Sequence, residues 1–334
     1  MILANIELIG LEIYHPSNKV ENEFFEKYFD EMGLDASKLM NQLGRKERYL
    51  AGEEENSLTM ATEAAKKAIE KSNISPKDLD MIVFVSESPE YLMPTNALKL
   101  NNILGAKNAH IVFDTNDNCI GMLNALDVVS HYMLGDSKVK YALVVGSLYT
   151  PVLVRKDCVI SYPNIADGSA AIVLKRTTDG ETRKGFIDSE YFTNSKNHEL
   201  MVTPSVGFSK MFDSEVSENE KKMLWLKHDV SFFSDDWKRI IASLLKRNGL
   251  ESSDITHFLF SQFSKVDIYA TMEKMDISFD KTTFVGEKYG YTGCSSPFFA
   301  LNDALKNGKV KSGDNIVFCS VGAGYTMCAI LFKL

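Results

Sequence analysis

The chain has 334 residues, 45% apolar and 25% charged, which fits two domains or one large one with a substantial core and excludes a disordered chain. Its net charge of -8 and the lack of any Lys/Arg-rich run argue against a nucleic-acid partner or an anionic membrane surface. No apolar stretch reaches the ~18 residues of a membrane span. The start MILANIELIG has no basic segment before its apolar residues, and the five cysteines form neither a CxxC pair nor a zinc spacing. Together these predict a cytoplasmic protein with reduced thiols, no secretory signal, no metal and no cofactor.

In chain order, residues 51–57 (AGEEENS) read as a solvated acidic loop. Residues 64–85 (AAKKAIEKSNISPKDLDMIVFV) predict an amphipathic helix, a loop closing on an Asp, and an apolar strand. Residues 120–147 add an apolar helix, Gly135 and the strand YALVVGS. Residues 176–222 change composition to Thr, Ser, Asn, Lys and Glu without a period, and read as a linker plus an insertion that could cap a site. The first pattern then returns in 240–261 (IIASLLKRNGLESSDITHFLFS), where Ile74, Asp78 and Leu79 are matched by Leu250, Asp254 and Ile255 at an offset of 176. The second returns in 295–320 at an offset of 173, from Gly135 to Gly308. Two runs of helix-strand-helix-strand predict a duplicated α/β fold, with halves 1–175 and 176–334. The strands are unbroken apolar runs, as expected of a sheet covered on both faces.

Within the first half, AHIVFDTNDNCIGMLNALDVVSHYML (109–134) ends a strand near Asp114, turns through TNDN, and opens a helix at Cys119. A thiol there meets free backbone N–H groups and the positive end of the helix dipole, which favour thiolate and nucleophilicity. A cysteine in such a place is also, as residue type, a small buried hydrophobe. Cys158, Cys319 and Cys328 lie in apolar runs and take that second reading, whereas Cys294 in YGYTGCSSP is open.

Several segments resemble the thiolase superfamily, nearest its β-ketoacyl-acyl-carrier-protein synthase III branch. They are LGRKERYLA (43–51), Met93-Pro94, Cys119-Ile-Gly, ADGSAAIVL (166–174), Lys288-Tyr289-Gly290 and GAGYT (322–326). The resemblance implies a duplicated thiolase-like five-layer α/β/α/β/α fold, Cys119 as acyl-accepting nucleophile, and an oxyanion site from the Cys119 N–H and the Gly322-Ala323-Gly324 loop. It also implies a dimer contact at Met93-Pro94, substrate contacts from Met93 and Gln262, and an acyl-chain pocket near 86–93 and after Cys158.

The resemblance lapses where the family places His and Asn. Those positions are Ser261 and Tyr291 here. In the family both donate hydrogen bonds to a malonyl thioester and stabilise the enolate of decarboxylation. A Ser hydroxyl donates but is a poor base, and Tyr is far larger than Asn. His257 lies four residues up the strand, roughly 13 Å off. His198 and His228 reach the site only if the insertion folds over it. The family's adenine-stacking Trp and a nearby Arg become Lys38 and Gln42, while Trp225 and Trp237 lie elsewhere in the sequence. The sequence therefore predicts an acyltransferase of specialised lipid, polyketide or signalling-molecule biosynthesis. It would take an acyl-CoA or acyl-carrier-protein thioester onto Cys119 and pass it on without assisted malonyl decarboxylation. Two other readings stand beside it: a non-catalytic subunit paired with an active homologue, and an ordinary 3-oxoacyl synthase III. A homodimer is expected, or a heterodimer under the second reading.

Overall fold

The computed structural model describes residues 4–178 and 183–334. Its main sheet contains β1 (Asn5–Tyr14), β2 (Met81–Val85), β3 (Ile111–Thr115), β4 (Tyr141–Leu148), β5 (Gly168–Thr177), β6 (Gly185–Thr193), β7 (His257–Phe260), β8 (Asn315–Gly322) and β9 (Thr326–Lys333). Among the helices that pack on it are α1 (Ser57–Lys71), α2 (Gly121–Gly135), α3 (Phe233–Arg247), α4 (Lys265–Lys274) and α5 (Ser296–Lys306).

The strands run in the order β7-β8-β9-β6-β1-β5-β4-β2-β3. The two halves are copies of one pattern. β2 pairs parallel with β4, β4 antiparallel with β5, and β5 antiparallel with β1. Likewise β7 pairs parallel with β8, β8 antiparallel with β9, and β9 antiparallel with β6. The halves meet at a parallel pairing of β1 with β6, Ile6 opposite Gly185. Only β3 lacks a laddered counterpart; a single bridge from Phe258 to Thr282 stands in its place.

Strand alternation explains the layers. In β2, Met81, Val83 and Val85 face one core, and Ile82 and Phe84 face another. The first core contains α2 and α5 together with strands of both halves. The second lies under α1, and a third, from Val317, Cys319, Met327 and their neighbours, under α3 and α4. The order α1, strands, α2 with α5, strands, α3 is the five-layer arrangement. A strand covered on both faces has no polar alternation to show, which is why these segments read as unbroken apolar runs.

The expected linker 176–222 is corrected in its first part. Residues 185–193 are β6, a full sheet strand. Its Asp188 and Glu190 look solvated in sequence, but both pair with Arg247 of α3. Residues 179–182 of that linker lie outside the described residues. The inserted segment is 194–232. It carries a two-residue ladder, Met201–Val202 with Leu224–Trp225, and is tied down by Met223 N–H donating to Leu153 O (2.8 Å).

Candidate active site

The turn ahead of α2 is shaped by asparagines. Asn116 Oδ1 accepts from Asn118 N–H at 3.0 Å, and Asn118 takes φ 49°, a left-handed conformation that Asn tolerates. This sets Cys119 in a short 3-10 turn (Asn118–Ile120) that runs into α2. Ser320 Oγ of β8 donates to Cys119 O at 3.1 Å and joins the two halves there. Gly322 closes β8 against the same turn: a Cβ on it would lie 3.3 Å from Asp117 O. Gly324, at φ 102°, makes the bend that follows.

Cys119 opens onto a cavity of about 560 Å³, within the size range of small-molecule sites. Ser261, Tyr291, Gly322 and Ala323 line it with Cys119, while Gly324 does not. Ser261 and Tyr291 are buried, with their hydroxyl oxygens 3.2 Å apart. Tyr291 also packs in the same apolar cluster as Cys119. Its ring packs edge-on against Phe263, which stacks on Trp225 at 5.0 Å, so one aromatic wall runs from the nucleophile to the insertion.

Two residues expected to contact substrate lie off this chain's cavity. Gln262 is fully buried: its amide nitrogen donates to Phe260 O (2.7 Å) and Thr283 O (3.2 Å), and its oxygen accepts from Val285 N–H (2.7 Å). That side chain is spent on backbone and does not line the cavity. Met93 is 89% exposed and also lies off its own chain's cavity. Of the expected acyl pocket, Val159 and Ile160 line the cavity, and no residue of 86–93 does. His257 is buried and bonded to Thr283 Oγ1 at 2.8 Å, in keeping with its predicted distance from the site.

The helix start does not set the state of Cys119 alone. Burial, and after it the charge of Glu87, push the Cys119 thiol well above its ordinary range, and the neighbouring Tyr291 hydroxyl offsets only part of this. Cys119 sits in an apolar cluster with Leu148, Leu153, Ile165 and Tyr291, where desolvation outweighs the partial charge of a helix start.

Sequence reasoning missed several lining residues. Trp225, Phe233 and Trp237 reach the cavity from the insertion and the start of α3, together with His228, which was expected there if the insertion folds over the site; Lys38 and Gln42 line the same cavity. The two tryptophans absent from the family positions thus line this cavity from another part of the chain. The only signal was their position in or after a segment read as a cap.

Glu87 is the second omission. It is partly buried, its Oε1 lies 2.7 Å from where a Cβ on Gly293 would be, and desolvation pushes its carboxyl from 4.5 up to about 7. A raised carboxyl means the folded chain holds the proton more tightly. The folded state therefore carries no penalty below pH 4.5, loses stability between pH 4.5 and 7, and bears the full cost at pH 8. Full burial would make that about 3 kcal/mol, and residual solvent contact reduces it to about 1–2 kcal/mol. Glu87→Gln is expected to raise the unfolding free energy by that amount at pH 8 and hardly at all at pH 4.5. Equal gains at both pH values in denaturant titrations would refute the assignment.

Arg45 and Arg48 of the LGRKERYLA segment are structural. Arg45 is 2% exposed and spends its five N–H donors on five carbonyls: Leu43, Asn164, Gln262, Phe263 and Gly286. It thereby fixes the chain on both sides of Ser261–Phe263. Arg48 donates to Pro163 O and lies 4.4 Å over the Phe25 ring. Arg45→Met leaves buried carbonyls without donors and is expected to cost about 3 kcal/mol, with Arg45→Lys recovering less than half. Chemical-denaturation midpoints test both.

Comparisons with known proteins bear on the family and the fold. The profile described as 3-Oxoacyl-[acyl-carrier-protein (ACP)] synthase III matches residues 113–195, and the one for its C terminal matches residues 245–334. The beta-ketoacyl-[acyl-carrier-protein] synthase III of Aliarcobacter butzleri is 30% identical over 340 residues, covering 100% of this chain and 98% of the relative. The chain belongs to the 3-oxoacyl-[acyl-carrier-protein] synthase III family. The crystal structure of that synthase from Aquifex aeolicus has a TM-score of 0.85 at 26% identity, with 99% of this chain and 100% of the other covered. The priming β-ketosynthase of the R1128 polyketide pathway shares the fold at a TM-score of 0.86 and 18% identity, over 99% of this chain and 96% of the other. As a synthase III family member the protein is a condensing acyltransferase-type enzyme with a thiolase-like fold.

Proposed function

We propose that this chain takes an acyl group from a coenzyme A or carrier-protein thioester onto Cys119. It then passes the acyl group to an acceptor without the family's His/Asn-assisted malonyl decarboxylation. The observation that carries the reading is the pair at the two altered positions. The hydroxyls of Ser261 and Tyr291 lie 3.2 Å apart in the cavity that Cys119 lines. Bonded to each other, they leave no pair of free donors for a malonyl enolate. The oxyanion is held by the Cys119 N–H and an N–H of Gly322-Ala323-Gly324. The lining residues Leu39, Val159, Met201 and Trp225 favour an apolar acyl chain.

The reading extends to a cytoplasmic dimer. β3 is an edge strand, and beside it Leu92 and Met93 are 73% and 89% exposed. An open edge with an apolar strip favours a second copy. Sedimentation should give twice the chain mass, and a monomer at micromolar concentration would refute this part.

The test is intact-mass measurement after incubation with a panel of acyl-CoA and acyl-carrier-protein thioesters. A mass gain that vanishes in Cys119→Ala is expected. No gain with any donor overturns the reading and favours a non-catalytic subunit.

A further inference from the structure

Removal of His from position 261 leaves the transfer step without a base, and the cavity holds another histidine. Cys119 and His228 line the same space. Leu226 O lies 2.6 Å from His228 Nδ1; a carbonyl only accepts, so Nδ1 carries the proton and Nε2 presents a lone pair. Nε2 meets the hydroxyl of Tyr325. Tyr325 follows directly on the Gly322-Ala323-Gly324 loop, whose first residue packs against the Cys119 turn.

The pair is built into its surroundings from both sides. The Tyr325 ring contacts Phe232 at 5.3 Å and Phe233 at 5.0 Å. Its backbone exchanges two hydrogen bonds with Asn194 at the start of the insertion (2.8 and 3.1 Å). Tyr325 is 8% exposed, and burial pushes its hydroxyl up to about 12, so it rests as a donor. A base oriented by a backbone carbonyl and bonded to a hydroxyl in the nucleophile's cavity is the arrangement proton transfer needs.

We propose that Tyr325 and His228 form the proton relay of the transfer step, the insertion supplying the base that position 261 lacks. The inference rests on the acyl-Cys119 reading above. The acceptor's X–H gives its proton to Tyr325 Oη as X attacks the thioester carbonyl, and Tyr325 passes its own proton to His228 Nε2. The oxyanion collapses, the C–S bond breaks, and the product leaves with the acyl group on X. His228 then gives up its proton to solvent through the cavity, and the Cys119 thiolate is reprotonated from solvent. No oxidant, metal or further reactant is required. Tyr325 is the group that touches the acceptor, and His228 acts through it.

The experiment separates the two steps. Wild type, His228→Ala, Tyr325→Phe and the double variant are loaded with the acyl donor that labels Cys119. They are then chased with N-acetylcysteamine as thiol acceptor, and the acyl adduct is followed by intact mass. Expected are wild-type acylation in all four, transfer slowed about 10²–10³-fold in each single variant, and no more than about a threefold further loss in the double. Added imidazole is expected to restore part of the His228→Ala rate. Transfer within threefold of wild type in either single variant overturns the relay, as do losses that multiply in the double variant. Loss of acylation in the variants alone overturns the assignment to the second step. No adduct on wild type with any donor overturns both this inference and the reading beneath it.

Discussion

Cys119→Ala is expected to abolish the acyl adduct and to lower transfer by about 10³-fold or more, with the fold intact. The sulfur is the atom that carries the acyl group, so no neighbour replaces it. Ser261 and Tyr291 offer hydroxyls, which are far poorer nucleophiles at neutral pH. Stability should hold because Cys119 is small, 7% exposed and surrounded by apolar side chains, so loss of one sulfur costs about 1 kcal/mol. The resting thiol adds a pH signature. Its pKa lies well above the ordinary cysteine range, so the thiolate fraction rises tenfold per pH unit throughout the neutral range. Acylation of wild type is therefore expected to accelerate steadily from pH 6 to pH 9. A rate that levels off near pH 7 would show a thiolate already formed and contradict the burial argument. Retention of the adduct in Cys119→Ala would place the acyl group on another residue.

The fold was legible because its signals are local and repeated. Helix periodicity, the Asp-closed loops before β2 and β7, and the near-constant offsets imposed the duplicated order before any contact was known. The turn that carries Cys119 was legible for the same reason: Asn and Asp residues followed by an apolar helix define its geometry. Three things were not. β6 was read as linker because Asp188 and Glu190 look solvated, and their partner Arg247 is about 60 residues away. The degree of burial of Cys119 was not legible, because a helix start is visible in sequence and the packing around it is not. The aromatic cavity wall was missed because Trp225 and Trp237 come from the insertion and the start of α3, where no period indicates which residues turn inward. Gln262 shows the converse. Its position beside Ser261 suggested a substrate contact, yet three backbone partners on other segments consume it.

The double variant Ser261→His/Tyr291→Asn is expected to behave unlike the sum of its parts. Ser261 Oγ and Tyr291 Oη are 3.2 Å apart in a fully buried site, so an imidazole at 261 meets the Tyr291 ring. Ser261→His alone should lose about 1–3 kcal/mol to overpacking. Tyr291→Asn alone empties part of the aromatic wall against Phe263 and should lose about 3 kcal/mol. Together the two changes roughly conserve volume, so the double variant should recover much of the stability of wild type, a coupling of about 2 kcal/mol. The chemistry should change with it. Wild type is expected to release carbon dioxide from malonyl thioester no faster than buffer does, because the two hydroxyls are committed to each other. With His and Asn in place, two free donors face the same cavity, and one such donor is worth about 10²-fold in charge stabilisation. Malonyl-dependent release at least tenfold above wild type is the expected gain. Release by wild type itself, at a rate that Cys119→Ala abolishes, would show that a Ser and a Tyr can do the work of His and Asn here. The chain would then be an ordinary condensing synthase.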